Sequence, residues 1–386
     1  AQKMLQVALQ LEVEQYIEQH AGQRDHEGKR LVVRNGSLPE RELQTGLGPI
    51  SVRQPRVNDR REGKQFTSSI LPPYLRRVAS IENLIPALYL KGVSTNEMGR
   101  ALESILGPKA AGLSPANITR LKDTWQKERK AWEERDLSDK HYVYLWADGI
   151  YFKVRLGDDR PCLLVLVGSL PDGTKEVVAV YDGERESKLS WMEVLRDLKK
   201  RGLKQAPKLA IGDGALGFWA ALDEVFPETK RQRCWVHKTA NVLDKMPKKV
   251  QPSAKKKLHD IYLAPRRADA EEAFDEFFTL YGKKFPKACE CLQKDRDVLL
   301  SFYDFPAEHW SHIRSTNPIE STFATVRHRT RQTKGCGSRE ATLTMVWKLA
   351  IEAQRSWRRL NGYRQLEKVI AGVVFEDGEE IDSAAA

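Results

Sequence analysis

The chain has 386 residues, a formal net charge of +11 and a pI near 9.3. That length exceeds one average domain and suggests two or three, and 41% apolar residues suffice for cores of ordinary size. No apolar run approaches the roughly 18 residues needed to cross a membrane, and the longest, near Leu163–Leu170, is strand-sized. The first residues hold no apolar core behind a basic start, so no signal peptide is read. A chain that starts at Ala1 without Met leads us to expect a further upstream piece. Cysteines at 162, 234, 289, 291 and 336 are odd in number and scattered. They argue against a disulfide framework and for a reducing, cytoplasmic setting. The excess of Lys and Arg suits a polyanionic partner such as nucleic acid, although charge alone does not identify it.

The expected elements begin with a polar amphipathic helix in residues 1–30, with Leu5, Leu9, Val13 and Ile17 at fourfold spacing. Val32-Val33-Arg34-Asn35-Gly36 predicts a short strand and an Asn-Gly turn, and Gly48–Val57 an edge strand rich in Arg and Pro. Residues 1–80 thus hold a helix and a small β element. From Ile81 to residue 138 the pattern is helical, with Ser94-Thr95-Asn96-Glu97 as a capping box and Ser114-Pro115 opening a further helix. That order suggests a helix-turn-helix-like DNA-binding region, or else any three-helix bundle. Asn117 and Arg120 would lie in the first turns, where base-reading side chains usually sit, and the run to Arg135 would continue as a polar connector.

Residues 139–237 are α/β. Strands are expected at Tyr142–Trp146, at Tyr151–Arg155 as its hairpin partner, at Cys162–Gly168, Glu176–Tyr181 and Lys208–Gly212. Helices are expected from a cap at Ser190 to Arg201 and over Gly214–Val225. Three strands in series followed by alternating helix and strand is the order of a ribonuclease-H-like domain. Residues 238–312 carry helical periodicity and many Lys, and predict an all-helical insertion, after which 313–360 returns to the catalytic domain as long helices. Residues 361–386 form a C-terminal tail, which from Glu376 is acidic and rich in small residues and is expected to be disordered there.

Three carboxylates stand out. Asp148 follows an apolar strand, Asp213 ends one between Gly212 and Gly214, and Glu320 sits in Asn317-Pro318-Ile319-Glu320. Each also has a plain structural reading: a turn residue for Asp148, a helix cap for Asp213, and a capping-box residue for Glu320 with Asn317 as the cap. Taken together they match a carboxylate site for Mg²⁺, because hard oxygen donors suit that ion and uncompensated carboxylates repel. Cys234-x-x-His237 has zinc-ligand spacing but is half a site, which Cys289 and Cys291 would have to complete. Arg327, Arg331 and Lys334 share one helix face after Glu320 and suit a phosphate-binding strip, or a solvated charged face. Trp219 and Trp235 read as core.

The strings Trp146-Ala147-Asp148-Gly149-Ile150-Tyr151-Phe152-Lys153-Val154-Arg155, Gly212-Asp213-Gly214, Cys234-Trp235-Val236-His237-Lys238 and Asn317-Pro318-Ile319-Glu320-Ser321 stand in that order. With Val33-Arg34-Asn35-Gly36 and Gln44-Thr45-Gly46-Leu47-Gly48-Pro49 upstream, the chain resembles the Mutator-like transposases of bacterial insertion sequences along nearly its whole length. The resemblance implies a ribonuclease-H-like catalytic domain, an acidic triad at Asp148, Asp213 and Glu320, Mg²⁺ with Mn²⁺ as substitute, and action on terminal inverted repeats. It implies a helical insertion between the second Asp and the Glu, and places His237 near the active site, on DNA phosphate or bracing the acids. The expected fold is therefore α/β, a ribonuclease-H-like catalytic domain with an all-helical insertion, preceded by a mainly helical DNA-binding region. The expected activity is cutting and joining of DNA by a homodimer acting at the nucleoid. The rival readings are a nuclease that cuts without joining and an inert DNA-binding regulator.

Overall fold

The computed structural model describes residues 2–45, 48–72, 115–151, 162–183, 185–214, 216–320 and 338–381, with scattered positions between 86 and 103. The chain divides into two compact units, Ala1–Leu121 and Lys122–Ala386.

In the smaller unit the helix Gln2–Gln19 buries Leu9 against Leu43, Val52 and Leu71, with Leu5 packed beside them, and Val13 is buried on the same helix. Its fourfold spacing thus reports a real buried stripe. β1 (Val32–Ser37) pairs with β4 (Pro55–Asp59), and β2 (Arg41–Thr45) with β3 (Gly48–Val52), both antiparallel. Two expectations change here. The edge strand expected over 48–57 is two strands in two different sheets. Asn35-Gly36 is not a hairpin turn but an irregularity within β1, where Gly36 takes φ +67° and the register slips between Arg34 and Ser37. Most of the helix-turn-helix-like region lies outside the described residues.

The larger unit is built on a five-stranded sheet in the order β7-β6-β5-β8-β9. β5 is Tyr144–Tyr151, β6 Cys162–Ser169, β7 Lys175–Gly183, β8 Leu209–Gly212 and β9 Lys230–Arg233. β6 is antiparallel to β5 and β7, whereas β5, β8 and β9 run parallel. β6 is buried along its whole length, which is why it reads as an uninterrupted apolar run. One face of the sheet packs Leu145, Ala147, Leu164 and Ala210 against the helices Lys188–Lys200 and Leu216–Val225, through Trp191, Leu195, Phe218 and Leu222. Tyr144 and Trp146 alternate to the other face. There the Trp146 indole N–H donates to His312 O at 3.0 Å, and Tyr144 bonds His309 Nδ1 at 2.7 Å.

β5 runs straight through Asp148-Gly149 and pairs residue by residue with Cys162–Ser169. The hairpin expected at Tyr151–Arg155 is therefore corrected: Tyr151 ends β5 itself, and 152–161 lie outside the described residues. The helix after β7 is capped by Ser187, whose hydroxyl accepts from Ser190 N at 3.2 Å, three residues before the expected cap. From Trp235 to Ile313 every described element is helical, in α- or 3₁₀-form.

The helix Pro115–Glu133 straddles the two units, and its second half is no free polar connector. Trp125 and Arg129 are buried, Arg129 Nε donates to Thr344 Oγ1 at 3.2 Å, and Arg129 pairs with Glu340 on the helix Arg339–Gln354. The acidic tail also departs from expectation, since its described residues from Glu376 include a β-hairpin. Phe375–Glu376 pairs with Glu379–Glu380 across Asp377 (φ 49°) and Gly378 (φ 83°), and Gly378 both donates to Tyr303 O and accepts from Ala307 N. Buried Phe375 and these hydrogen bonds outweigh the acidic composition.

Candidate active site

Asp148 and Asp213 are set by strand register. β5 and β8 pair in parallel from Tyr144↔Leu209 to Ala147↔Gly212, so Asp213, just past the carboxyl end of β8, follows directly beside Asp148, which lies within β5. The carboxyl end of a strand is where α/β sheets commonly place their ligands. Asp148 alternates to the same face as Tyr144 and Trp146. Gly214 takes φ +86° and turns the chain sharply after Asp213, so the helix begins only at Leu216.

Glu320 arrives from the far side of the helical region. Residues 317–320 are helical, and the cap is Thr316 rather than Asn317, since Thr316 O accepts from both Ile319 N and Glu320 N. The Thr316 hydroxyl is the centre of a small cluster. It lies 3.4 Å from Cys234 Sγ, 3.4 Å from His237 Nδ1 and 3.2 Å from Glu320 Oε1. Its single proton serves one acceptor at a time, while Thr316 N also donates to Cys234 Sγ at 3.3 Å. His237 Nδ1 stands 3.7 Å from Glu320 Oε1.

These positions leave clear electrostatic marks. Burial pushes the Asp148 carboxyl up to about 7, with the Asp213 and Glu320 charges adding to the rise and His237 opposing it. His237 moves upward, chiefly through its hydrogen bond with Cys234, helped by Asp148 and Glu320. Burial raises the Cys234 thiol, but the bonds from His237 and Thr316 outweigh that and bring it down. The picture is a proton held on His237 among acids that would otherwise repel one another.

Single ligand atoms of Cys234, His237 and Glu320 lie within 4.8 Å of one another, the geometry a metal could use. A protonated His237 has no lone pair to give, however, and the bonds described above already join all three through Thr316. Cys289 and Cys291 do not belong to that group; all four described cysteines are free thiols, and Cys291 O accepts from Lys238 Nζ. The further cysteine ligands that a zinc site would need are not grouped there among the described residues. The carboxylates are the better fit to a metal: hard oxygen donors on or just beyond neighbouring strands, with burial raising the Asp148 carboxyl so that nearby positive charge would favour its ionised form.

The profile of the Mutator family of transposases matches residues 1–360. The chain belongs to that family. The transposase for insertion sequence element IS6120 of Mycolicibacterium smegmatis is 53% identical over 302 residues, covering 78% of this chain and 93% of that one. The transposase for insertion sequence element IST2 of Acidithiobacillus ferrooxidans is 51% identical over 281 residues, covering 73% and 95%. Among solved structures, the HTLV-2 integrase catalytic core domain in complex with magnesium matches at 16% identity and TM-score 0.19. It covers 33% of this chain and 90% of its own.

Several residues of this transposase site carry no sequence signal. The Arg233 guanidinium occupies the space where a Cβ on Gly214 would lie. It is buried, and its Nε lies 3.4 Å from Asp295 Oδ2, which Lys238 Nζ also contacts at 2.5 Å. Two buried cations on one carboxylate leave a net positive charge beside Gly214, the residue after Asp213. Glu186, a half-buried residue between β7 and the next helix, reaches over Gly149. The parts expected to grip DNA are less placed. Asn117 and Arg120 fall on the helix Pro115–Glu133 with side chains outside those described, and Arg327, Arg331 and Lys334 lie wholly outside the described residues. Trp235 is buried and Trp219 packs on the core beside Phe218, as expected of core residues.

Proposed function

We propose that this transposase cuts DNA at the terminal inverted repeats of an insertion sequence and joins the freed 3′-hydroxyl to target DNA. Asp148, Asp213 and Glu320 are the catalytic, metal-binding carboxylates. One observation carries the reading: Asp148 within β5 and Asp213 just past the end of β8 follow the last pair of two parallel strands, with the Glu320 charge acting on Asp148. The sheet order, with β6 alone antiparallel, supports a ribonuclease-H-like domain. The three carboxylates would hold Mg²⁺ or Mn²⁺, which when bound supplies activation of the attacking oxygen and charge neutralisation at phosphorus.

The chain's own groups do the rest. Protonated His237 offers an N–H toward a phosphate oxygen while Thr316 fixes its ring. Arg327, Arg331 and Lys334 contact phosphates leading into the site, and Asn117 and Arg120 read the element end. Joining two DNAs calls for a homodimer acting in the cytoplasm, at the nucleoid. Among the described residues no helix is long and apolar enough to cross a membrane. The test is a strand-transfer assay on a labelled element end with Mg²⁺. Joined products are expected; hydrolysis products alone, with cognate ends and either metal, would reduce the protein to a nuclease.

A further inference from the structure

We propose that Glu186 is a fourth carboxylate of the same centre, facing the cation that Asp148 and Asp213 hold. The inference rests on the acidic-triad reading and adds a residue to it. Glu186 stands in the short link between β7 and the helix Lys188–Lys200. Two glycines make its position possible. A Cβ on Gly149, the residue after Asp148, would overlap the Cγ, Cδ and Oε1 of Glu186, so the carboxyl group fills the place of the missing side chain. A Cβ on Gly217 would lie 2.5 Å from the Glu186 carbonyl oxygen and 2.7 Å from Lys188 N, so the backbone of the link is pressed onto Gly217. Backbone and side chain are thus both held, and they are held against the residues that flank Asp148 and follow Asp213.

Placing another carboxylate here is unfavourable by itself, because like charges brought close together in a partly buried site repel. Among the described residues no Lys or Arg is ion-paired with Glu186, and the adjacent Lys188 pairs with Glu224 at 3.0 Å instead. The Asp213 and Asp148 charges act on Glu186, with His237 opposing them. A divalent cation shared by these oxygens supplies the missing countercharge, and oxygen donors of this kind suit Mg²⁺ and Mn²⁺.

The experiment titrates Mn²⁺ into the full chain without DNA, followed by calorimetry and by melting temperature. Glu186→Gln is expected to raise the Mn²⁺ concentration at half-saturation by about tenfold or more. Its metal-free melting temperature is expected to equal or exceed wild type, because a repelling charge is gone. Glu193→Gln, an exposed carboxylate on the following helix, should leave both readouts unchanged, and Asp213→Asn should lose the Mn²⁺ response. If Glu186→Gln binds Mn²⁺ like wild type while Asp213→Asn does not, the proposal falls and the triad reading stands. If wild type itself shows no Mn²⁺ response, both fall. A metal-free melting temperature several degrees below wild type would make Glu186 a structural residue and likewise overturn the proposal.

Discussion

Asp148 and Asp213 are neighbours because β5 and β8 pair in parallel up to Ala147↔Gly212, one residue short of both aspartates. The residue after that pair, Asp148 within β5 and Asp213 beyond β8, is therefore brought next to its counterpart. Conservative removal of a carboxylate should then disable the chemistry and spare the fold. Asp148→Asn, Asp213→Asn and Glu320→Gln are each expected to lower end cleavage at least a thousandfold, about 4 kcal/mol in the barrier, while binding of element-end DNA in a mobility-shift assay stays within a few-fold. Retained cleavage in any one variant removes that residue from the site.

The buried Asp148 carboxyl sets a pH dependence for the metal-free protein. Its folded value near 7 lies above its ordinary value of 3.8, so the protonated form is favoured by folding. The associated stability is fully present below about pH 4 and is lost as pH rises to 7, on the order of 4 kcal/mol. Glu186, also pushed up to about 7 by burial and its acidic neighbours, acts in the same direction. Urea midpoints of Asp148→Asn without metal should accordingly gain on wild type from pH 5 to 8. Saturating Mg²⁺ should shrink that gain by favouring the ionised carboxylate in wild type. Parallel pH profiles for the two proteins would contradict the assignment.

His309 works with the opposite sign. It is fully buried, its Nε2–H donates to Gly362 O at 3.0 Å, and its Nδ1 accepts from the Tyr144 hydroxyl at 2.7 Å. Both ring nitrogens are used by the neutral ring, and burial holds the group down at about 4, below its ordinary 6.5. The unfolded chain takes up a proton as pH falls below 6.5 while the folded chain resists until about 4. Stability is thus lost across that window, by about 3 kcal/mol. His309→Gln is expected to be less stable at pH 7, and to show a shallower fall in chemical-denaturation midpoint between pH 6.5 and 4.5. An unchanged fall would assign the acid sensitivity elsewhere, His312 being the next group held down by burial.

Gly214 tests the positive charge beside it. An Ala there must adopt φ +86°, at roughly 1–2 kcal/mol. Its Cβ also enters the volume of the Arg233 guanidinium, which must then leave Asp295. Breaking a buried ion pair adds about 3–5 kcal/mol. Gly214→Ala should therefore lose more than about 3 kcal/mol in urea unfolding, and lose cleavage with it. A loss near 1 kcal/mol would mean that Arg233 moves aside freely.

Most secondary structure in the larger unit was readable because it is written locally. The apolar run Cys162–Ser169 is a strand buried on both faces. Leu195 and Leu198 share one face of a helix and are buried together. Asp213 between two glycines reads as a strand end because only a sharp turn needs that pattern. The strings around Asp148, Asp213 and Glu320 carried the family as well. The errors in reading single elements came from partners that lie outside the local string. Asp148-Gly149 has turn chemistry yet runs through a strand, because β6 supplies a pairing partner for every residue of β5. Asn317 is a good cap by type, but Thr316 takes the position because its hydroxyl also joins Cys234, His237 and Glu320.

What only the tertiary structure decided is which charges meet. Parallel pairing is made by backbone groups that are the same for every residue, so the register placing Asp148 beside Asp213 is set by the packing of Leu145, Ala147 and Ala210 on distant helices, and not by any string near either aspartate. Glu186 sits in the polar run Arg185-Glu186-Ser187-Lys188, which reads as a solvated loop, and it becomes part of the site only where Gly149 and Gly217 leave space. Arg233, Lys238 and Asp295 look like ordinary surface charge in sequence, yet the helices between Trp235 and Ile313 fold them under Gly214. The sequence by itself determined the elements, the family and the three carboxylates. The neighbours that hold or oppose their charge were decided by long-range packing, because electrostatic coupling depends on distance and burial, and neither is a local property of the chain.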